Sequence, residues 1–256
     1  MATAREIGLL ILRAYQRYSS VHTLNDDNLL DYIEYIQSTL SHPKEKSRAK
    51  FQIKPELKIE TEVGVEALLE ITQGELRIGI AGSNSLGDWV LNLIHLKDSL
   101  LSHIGLHKSD RSYRVGYESL SGHILKYLLF YNNLADRKLV EPIQSISIGG
   151  HSAGGRVADY LASSLALAYR YTIEKQLPIK VYSFGSPIFK EFFSPQELVN
   201  NNIELHRYAI ANDPVAMLPA KLFNEPQNFV EILPEVSVWK TSPHALTSYL
   251  NFTVKK

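Results

Sequence analysis

The pentapeptide Gly150-His151-Ser152-Ala153-Gly154 constrains this chain more than any other stretch of its sequence. It follows an apolar run, Ile143 to Ile148, that is typical of a buried strand, and it precedes an Ala- and Leu-rich segment with strong helix propensity. A serine at a sharp turn from strand to helix adopts a strained backbone, and side chains two residues before and after it would collide with neighbouring chain. Glycine at positions 150 and 154 relieves that collision. The pattern therefore predicts a nucleophile elbow with Ser152 at its tip.

A glycine-rich turn between a strand and a helix has two other interpretations. It can be a turn without chemistry, or its backbone amides can cradle a phosphate. A phosphate loop has Lys after its last glycine, and here Arg156 follows Gly155, so the phosphate interpretation is set aside. The turn without chemistry stays open on local sequence alone.

Strand-like and helix-like segments alternate around this elbow. Strands are predicted over residues 63–71, 75–81, 143–148, 179–184, 203–210 and 229–233, and helices over residues 4–18, 26–40, 85–101, 117–134 and 156–171. Gln73-Gly74 suits a tight hairpin turn, so an antiparallel strand pair is expected near the start of the sheet. The later connections are long enough for parallel crossovers. We predict an α/β fold of the α/β-hydrolase type, with a mostly parallel central sheet covered by helices on both faces.

Length and charge narrow the classes of function. A chain of 256 residues can bury a substantial core as one unit, so we predict a single domain over residues 1–256, with 1–62 as an N-terminal helical region. There are 27 basic residues, Lys plus Arg, and 27 acidic residues, Asp plus Glu. The chain therefore lacks the excess of basic residues that is typical of a nucleic-acid binder. There is no cysteine, hence no disulfide, no thiolate zinc site and no cysteine nucleophile.

The apolar run Ile7 to Leu12 bears on localisation. It is too short to span a membrane and lacks a small-residue cleavage site, and its spacing is typical of a helix that docks on the core. We therefore expect no signal peptide and no transmembrane segment. Together with the lack of cysteine, this favours a cytoplasmic location.

Ser152 needs a base and an acid to become a nucleophile, and after such an elbow they follow in the order Ser, acid, His. Beyond Ser152 the chain holds two aspartates, Asp159 and Asp213, and two histidines, His206 and His244. Asp159 lies seven residues on within the predicted helix, about 10 Å along an axis that rises about 1.5 Å per residue, and so points away. Asp213 follows a strand, where an α/β sheet places its functional loops, and His244 lies downstream of it. The predicted catalytic residues are Ser152, Asp213 and His244.

Local sequence leaves an alternative for each partner. Asn212-Asp213-Pro214 is also a common turn sequence, and the alternative for His244 is a surface histidine in a turn. If Ser152 is catalytic, His244 takes its proton and Asp213 fixes the imidazole tautomer, and no metal or organic cofactor is needed. His103 and His107 have the spacing of metal ligands, but Gly105 between them favours a polar loop.

At this point the sequence resembles the class 3, fungal-type lipases over about residues 63 to 250. The stretches that carry the resemblance are Gly79 to Leu86 with Asp88-Trp89, Gly149 to Gly155, Tyr182 to Pro187, Arg207 to Val215 with Leu218-Pro219, and His244. Their order along the chain is more specific than the elbow alone.

The resemblance implies roles for residues outside the predicted triad. It implies an oxyanion hole made by Ser83, through its amide and hydroxyl, and by the amide of Ala153. It also implies a lid in the amphipathic segment after residue 85, whose apolar stripe is Leu86, Trp89, Val90 and Leu93. An ordinary helix buried against the core is the alternative to the lid.

The predicted function is hydrolysis of carboxylic esters of lipids, as an acylglycerol lipase or a phospholipase A-like enzyme with an acyl-enzyme intermediate. Its partners are then a lipid or ester substrate and, transiently, a lipid interface, with no nucleic acid. Two alternatives remain: an esterase or thioesterase for small soluble substrates, and a catalytically silent binding module that keeps the fold.

Overall fold

The structure is a computed structural model, which describes residues 1–15, 22–24, 56–60, 65–82, 106–138, 140–172, 175–187, 193–217, 230–237 and 242–253. The strands are β1 (His22–Leu24), β2 (Glu56–Glu60), β3 (Glu66–Thr72), β4 (Glu75–Ile80), β5 (Ser145–His151), β6 (Ile179–Phe184), β7 (Ile203–Ile210) and β8 (Val230–Leu233). The helices are α1 (Ala4–Ala14), α2 (Leu106–Asp136), α3 (Ala153–Thr172), α4 (Pro195–Asn200) and α5 (Leu246–Thr253).

The described strands form one sheet in the order in which they occur in the chain, β1 to β8. Strands β2, β3 and β4 pair antiparallel, and β4 to β8 pair parallel. Gln73 and Gly74, with φ of 49° and 73°, form the turn between β3 and β4, which confirms the predicted hairpin. Because β4 to β8 all run the same way, their carboxyl ends lie at one edge, where an α/β sheet builds its site.

Helices cover both faces of the sheet, as predicted. Side chains of β4 and β5 alternate between the faces, and Ile78, Ile80, Ile146 and Ile148 form the core beneath α2 and α3. On the opposite face, side chains of β6 and β7 pack against α1 and α5, which also contact each other. The mostly parallel α/β sheet of the prediction is therefore confirmed.

Helix α1 lies unusually close to the sheet because two glycines face it. Gly79 of β4 and Gly149 of β5 are partners in the parallel register. A Cβ on Gly79 would lie 2.8 Å from the backbone of Ile11, and one on Gly149 would collide with the side chain of Ile7. Only a strand surface without side chains lets the helix approach this far. The end of α1 is thereby fixed over the carboxyl ends of β4 and β5.

Several predictions differ from the structure. The polar loop predicted around His103 and His107 is wrong for His107, because α2 begins at Leu106, after Gly105, and not near residue 117. The prediction that residues 1–62 form a helical region is wrong at β1 and β2, which are strands within that range. In β2 charged and apolar residues alternate, and the apolar ones, Leu57 and Ile59, are buried beside β3.

Helices α4 and α5 were not predicted, because each spans only six to eight residues. The helices predicted over 26–40 and 85–101 lie outside the described residues.

Among the described helices, none combines the length and the apolar character needed to cross a membrane.

Candidate active site

Ser152 lies in a sharp turn at the carboxyl end of β5. Its backbone has φ of 55°, in the left-handed region that residues with a side chain rarely adopt, and the next residue begins α3. The turn is held because the N–H of Ser152 donates to the carbonyl oxygen of Phe184, at the end of β6, over 2.9 Å. The serine is therefore presented at the edge of the sheet by an elbow of the kind that the sequence predicted.

Gly150 and Gly154 make this turn sterically feasible. The backbone of Gly154 passes so close to Gly150 that a Cβ on residue 150 would overlap its carbonyl group. A Cβ on Gly154 would lie 2.6 Å from the carbonyl oxygen of Ala81, at the end of β4. Real Cβ contacts are not that short, so a side chain at either position would force the backbone apart.

His244 lies beside Ser152. Its Nε2 atom is 3.0 Å from Oγ of Ser152, and its Nδ1 atom is 2.9 Å from Oδ2 and 3.1 Å from Oδ1 of Asp213. A carboxylate only accepts, so the hydrogen is on Nδ1 and the lone pair of Nε2 points at the serine hydroxyl. The three residues predicted from chain order thus form one continuous set of hydrogen bonds, although they come from three separate parts of the chain.

Asp213 is fully buried in the loop after β7. Its Oδ1 atom accepts hydrogen bonds from the amides of Val215 at 2.8 Å and Ala216 at 3.4 Å, in a helical turn that begins at Pro214. Its Oδ2 atom accepts a short hydrogen bond from the hydroxyl of Tyr249. These donors, together with His244, compensate for the loss of hydration of a buried carboxylate.

Tyr249 was not found from the sequence. It lies on α5, is fully buried, and its pKa is raised far above its ordinary value, first by burial and then by the charge of Asp213. The hydroxyl therefore stays protonated and acts as a donor to the carboxylate. Its position five residues after His244 on an apolar stretch indicated only a core residue.

His151 and Tyr15 form a second group around the candidate base, and this group was also missed. Nε2 of His151 lies 2.7 Å from the carbonyl oxygen of His244, and Nδ1 lies 2.7 Å from the hydroxyl of Tyr15. The same hydroxyl accepts the amide N–H of Gly82 at 2.7 Å. The elbow places residue 151 beside the nucleophile, but sequence alone did not indicate its partner in a helix near the N-terminus.

The other predicted residues fall into two groups. Ala153 is half-buried and is the first residue of α3, so its amide belongs to the helix turn whose N–H groups lack partners within the helix. Ser83 and the residues of the predicted lid, Leu86, Trp89, Val90 and Leu93, lie outside the described residues.

The rejected acid and base candidates are engaged elsewhere. Oδ2 of Asp159 accepts from Arg207 at 2.9 Å and from Arg156 at 3.5 Å in a buried cluster. His206 stacks on Tyr182 and lies 2.8 Å from Glu204 on the same strand. In the part of the chain that the structure describes, no group of three or more His, Cys, Asp or Glu side chains is arranged to hold a metal.

The arrangement has a definite chemical capacity. A hydroxyl on a strained turn faces the lone pair of an imidazole whose other nitrogen is bound to a buried carboxylate, and helix α3 begins at the residue after the serine. This combination can activate an alcohol oxygen and stabilise negative charge that develops next to it.

The chain matches a known protein family. Residues 78–223, more than half of the chain, match the family described as Lipase (class 3). The matched range includes Ser152 and Asp213 and ends before His244.

Two curated relatives are both from Arabidopsis thaliana. "Galactolipase DONGLE, chloroplastic" is 31% identical over 126 residues, which cover 48% of this chain and 26% of that protein. "Phospholipase A1-Ialpha2, chloroplastic" is 31% identical over 125 residues, which cover 48% of this chain and 25% of that protein. The chain thus matches about a quarter of the length of each relative.

Solved structures of fungal lipases are also similar. The triacylglyceride lipase of Rhizomucor miehei has a TM-score of 0.48 and 14% sequence identity, and the match covers 86% of this chain and 74% of that one. Lipase II from Rhizopus niveus has a TM-score of 0.48 and 13% identity, covering 87% and 78% respectively.

Proposed function

The chain belongs to the class 3 lipase family, and from that premise we propose that it is a serine acyl hydrolase that cleaves carboxylic ester bonds of lipids. The observation that carries the proposal is the 3.0 Å approach of Nε2 of His244 to Oγ of Ser152, with Nδ1 of the same ring bound to the buried Asp213. A structural serine in a tight turn has no need of this pair of partners.

In the first half of the proposed reaction, Oγ of Ser152 attacks the ester carbonyl carbon while Nε2 of His244 takes the hydroxyl proton. The resulting imidazolium is stabilised by Asp213, which keeps its charge throughout. When the tetrahedral intermediate collapses, the bond from carbon to the alcohol oxygen breaks and His244 gives the proton to the departing alcohol. The acyl group is then left on Ser152.

In the second half, water attacks the acyl-enzyme. His244 takes a proton from the water as its oxygen bonds to the acyl carbon, and the proton returns to Oγ of Ser152 when the acid is released. The balance closes with one water consumed and one carboxylic acid and one alcohol formed. No metal or organic cofactor takes part.

The oxyanion of each intermediate needs preset donors. We propose that the amide of Ala153 is one of them, since it lies in the first turn of α3 directly after the nucleophile. The amide of Gly82 is bound to the hydroxyl of Tyr15, so it is not the second donor, and we propose Ser83 for that role. Each such donor contributes about 3 kcal/mol to transition-state stabilisation.

The class of substrate is supported by the relatives, whose names are galactolipase and phospholipase A1. Both names denote release of an acyl chain from a polar diacyl lipid. We propose that this chain likewise acts on acyl lipids at an interface, with the segment that begins near Leu86 as a lid.

The direct test is hydrolysis by the wild-type chain and by the Ser152→Ala, His244→Ala and doubly substituted variants. Residues that act as one unit are not additive, so each single change should lower kcat on the order of 10⁴- to 10⁶-fold and the double change hardly further. Ser194→Ala is the matched control, because this exposed serine only caps α4 and its loss should cost about 1 kcal/mol of stability with unchanged kcat. A fluorophosphonate adduct should form on Ser152 alone.

The substrates in this test are a galactosyldiacylglycerol, a phosphatidylcholine, a triacylglycerol and 4-nitrophenyl butyrate. We expect the rate on an acyl lipid to rise when the substrate passes its aggregation threshold, because a lid responds to the interface. Hydrolysis that survives Ser152→Ala would rule out the proposed nucleophile. Activity confined to the soluble ester would indicate a small-substrate esterase instead.

A further inference from the structure

His244 is held at its backbone as well as at its ring. The ring of His151 lies 4.8 Å from the ring of His244, centroid to centroid, and Nε2 of His151 is 2.7 Å from the carbonyl oxygen of His244. Tyr15, which ends α1, lies 2.7 Å from Nδ1 of His151. A chain of contacts therefore runs from the N-terminal helix to the main chain of the candidate base.

One carbonyl group fixes the direction of every hydrogen bond in this network of His244, His151, Tyr15 and Gly82. The carbonyl of His244 only accepts, so Nε2 of His151 carries the hydrogen and Nδ1 has the lone pair. The hydroxyl of Tyr15 must then donate to Nδ1, and its oxygen is left to accept the N–H of Gly82. In this network each donor is bound to one acceptor. If the direction of any one hydrogen bond were reversed, a buried polar atom would be left unpaired.

Burial keeps both side chains in the states that this network requires. His151 is 7% exposed, and its pKa is lowered to about 3, first by burial and then by the nearby His244. Burial likewise raises the pKa of the Tyr15 hydroxyl to about 12. A neutral His151 also places no positive charge beside the imidazolium that the proposed reaction forms on His244.

Resting on the proposed function, we propose that His151 and Tyr15 are positioning residues that set the height of the His244 imidazole over Ser152 through the main chain of His244. His151 itself is not a base in the reaction, because both of its ring nitrogens are already engaged. Tyr15 holds the ring of His151 in place by donating to Nδ1 and, through the amide of Gly82, also holds the end of β4, directly before the proposed oxyanion residue Ser83.

The role of α1 follows from this geometry. Helix α1 packs closely on Gly79 and Gly149, which fixes the position of its last residues. Through its hydrogen bonds to His151 and to the amide of Gly82, Tyr15 then holds the chain on both sides of the reacting centre. The N-terminal helix is then part of the machinery that aligns the base, although it contributes none of the three residues of the proposed triad.

Four variants test the proposal in the full chain, with 4-nitrophenyl butyrate as substrate. His151→Leu loses both hydrogen bonds, and we expect kcat to fall about 10- to 100-fold with KM within about twofold, as for a small misplacement of a catalytic group. His151→Gln can donate to the carbonyl and accept from Tyr15, so it should restore kcat to within about threefold of wild type. Tyr15→Phe should lower kcat about tenfold, and Tyr208→Phe, a half-buried tyrosine on β7 away from this network, should leave kcat unchanged.

A readout that does not depend on activity separates the network from the proposed reaction. In protein with ¹⁵N-labelled histidine rings, His151 should show a hydrogen on Nε2 at pH 7 and remain neutral at pH 5. In Tyr15→Phe the hydrogen should stay on Nε2, because the carbonyl of His244 still accepts it, and the Nδ1 resonance should shift to that of a nitrogen without a hydrogen-bond donor. This measurement reports on the network even if the wild-type chain hydrolyses nothing, which would refute the proposed function alone.

Three results would overturn the positioning role. One is wild-type kcat in His151→Leu, another is an equal loss in the Leu and Gln variants of His151, and the third is a fall in kcat/KM that comes from KM alone. An Nδ1-protonated or charged His151 in the wild-type chain would overturn the network itself. Should His151→Leu not fold, the comparison of Tyr15→Phe with wild type decides, because that change removes only a hydroxyl group.

Discussion

The hydroxyl of Tyr249 donates to Oδ2 of Asp213. The same hydroxyl oxygen accepts the backbone N–H of Ile210, at the end of β7, over 3.3 Å. Tyr249 therefore ties α5, which follows the candidate base, to the strand that carries the candidate acid. Since Ser248 also donates to the carbonyl of Ser242 at 2.8 Å, the loop that contains His244 is held from the α5 side as well as by His151.

Replacement of Tyr249 by Phe keeps the ring and removes this hydroxyl. Asp213 then loses one donor and the N–H of Ile210 loses its acceptor, so we expect the free energy of unfolding to fall by about 1 to 3 kcal/mol. We expect kcat to fall about tenfold with KM unchanged, because the carboxylate is less well fixed under His244. Urea unfolding and steady-state kinetics measure the two effects. Unchanged stability together with unchanged kcat would show that the hydroxyl holds nothing.

Asp213→Asn tests the acid itself. An amide in place of the carboxylate can donate to Nδ1 and so favours the wrong tautomer of His244, and kcat should fall on the order of 10⁴-fold with the fold retained. Asp159→Asn is the matched control. It removes a buried carboxylate that pairs with Arg207 and Arg156, which should cost about 3 to 5 kcal/mol of stability, while kcat per folded molecule stays at the wild-type value. Equal losses of kcat in both variants would argue against a special role for Asp213.

The elbow glycines are tested by a pair of identical substitutions. Gly150→Ala places a methyl group on the carbonyl of Gly154, so we expect the variant to unfold at a much lower temperature and to lose the activity of Ser152. Gly122 lies within α2, and outside the helix's own backbone no heavy atom lies within 4 Å of the position of a Cβ, so Gly122→Ala should raise stability by up to about 1 kcal/mol. Thermal unfolding of both variants measures the contrast. A Gly150→Ala chain with wild-type stability would mean that the turn is not as tight as described.

The sequence predicted those parts of the fold that depend on local pattern. The bounds of β6 and β7 agree with their predicted ranges, because each begins and ends with an apolar residue and is followed closely by Gly185 or Asn212, and the Gln73-Gly74 turn was recognised from its residue types. Strand β2 was missed because only five residues alternate there, and its burial comes from β3, its neighbour in the sheet.

The candidate site divides in the same way. Ser152, Asp213 and His244 were found because chain order and the few aspartates and histidines after the elbow leave one solution. Tyr249, His151 and Tyr15 were not found, because each acts through a partner that only the fold brings near. Tyr15 and His151 are 136 residues apart, and neither belongs to a spacing pattern that sequence reasoning can use. What a residue touches across the sheet is decided by register and helix packing, which a single sequence does not display.

The acid sensitivity of folding should depend on His151. In the folded chain its pKa is about 3, below the ordinary value of 6.5, with Tyr15, His244, Tyr249 and Asp213 as the titratable groups around it. Below pH 6.5 His151 therefore binds a proton in the unfolded chain but not in the folded chain. The contribution of neutral His151 to stability is fully present above pH 6.5 and is lost by about 1.4 kcal/mol per pH unit as the pH falls towards 3.

His151→Gln removes this titration and keeps a side chain that can make both hydrogen bonds. Between pH 7 and pH 5 the free energy of unfolding of wild type should therefore fall by about 2 kcal/mol more than that of the variant. Urea unfolding of both proteins at pH 7, 6 and 5 measures the difference. The many carboxylates that also titrate contribute equally to the free energy of unfolding of both proteins, so their contributions cancel in the comparison. Parallel losses in the two proteins would mean that His151 accepts a proton in the folded state, in which case Nδ1 could not be the acceptor for Tyr15.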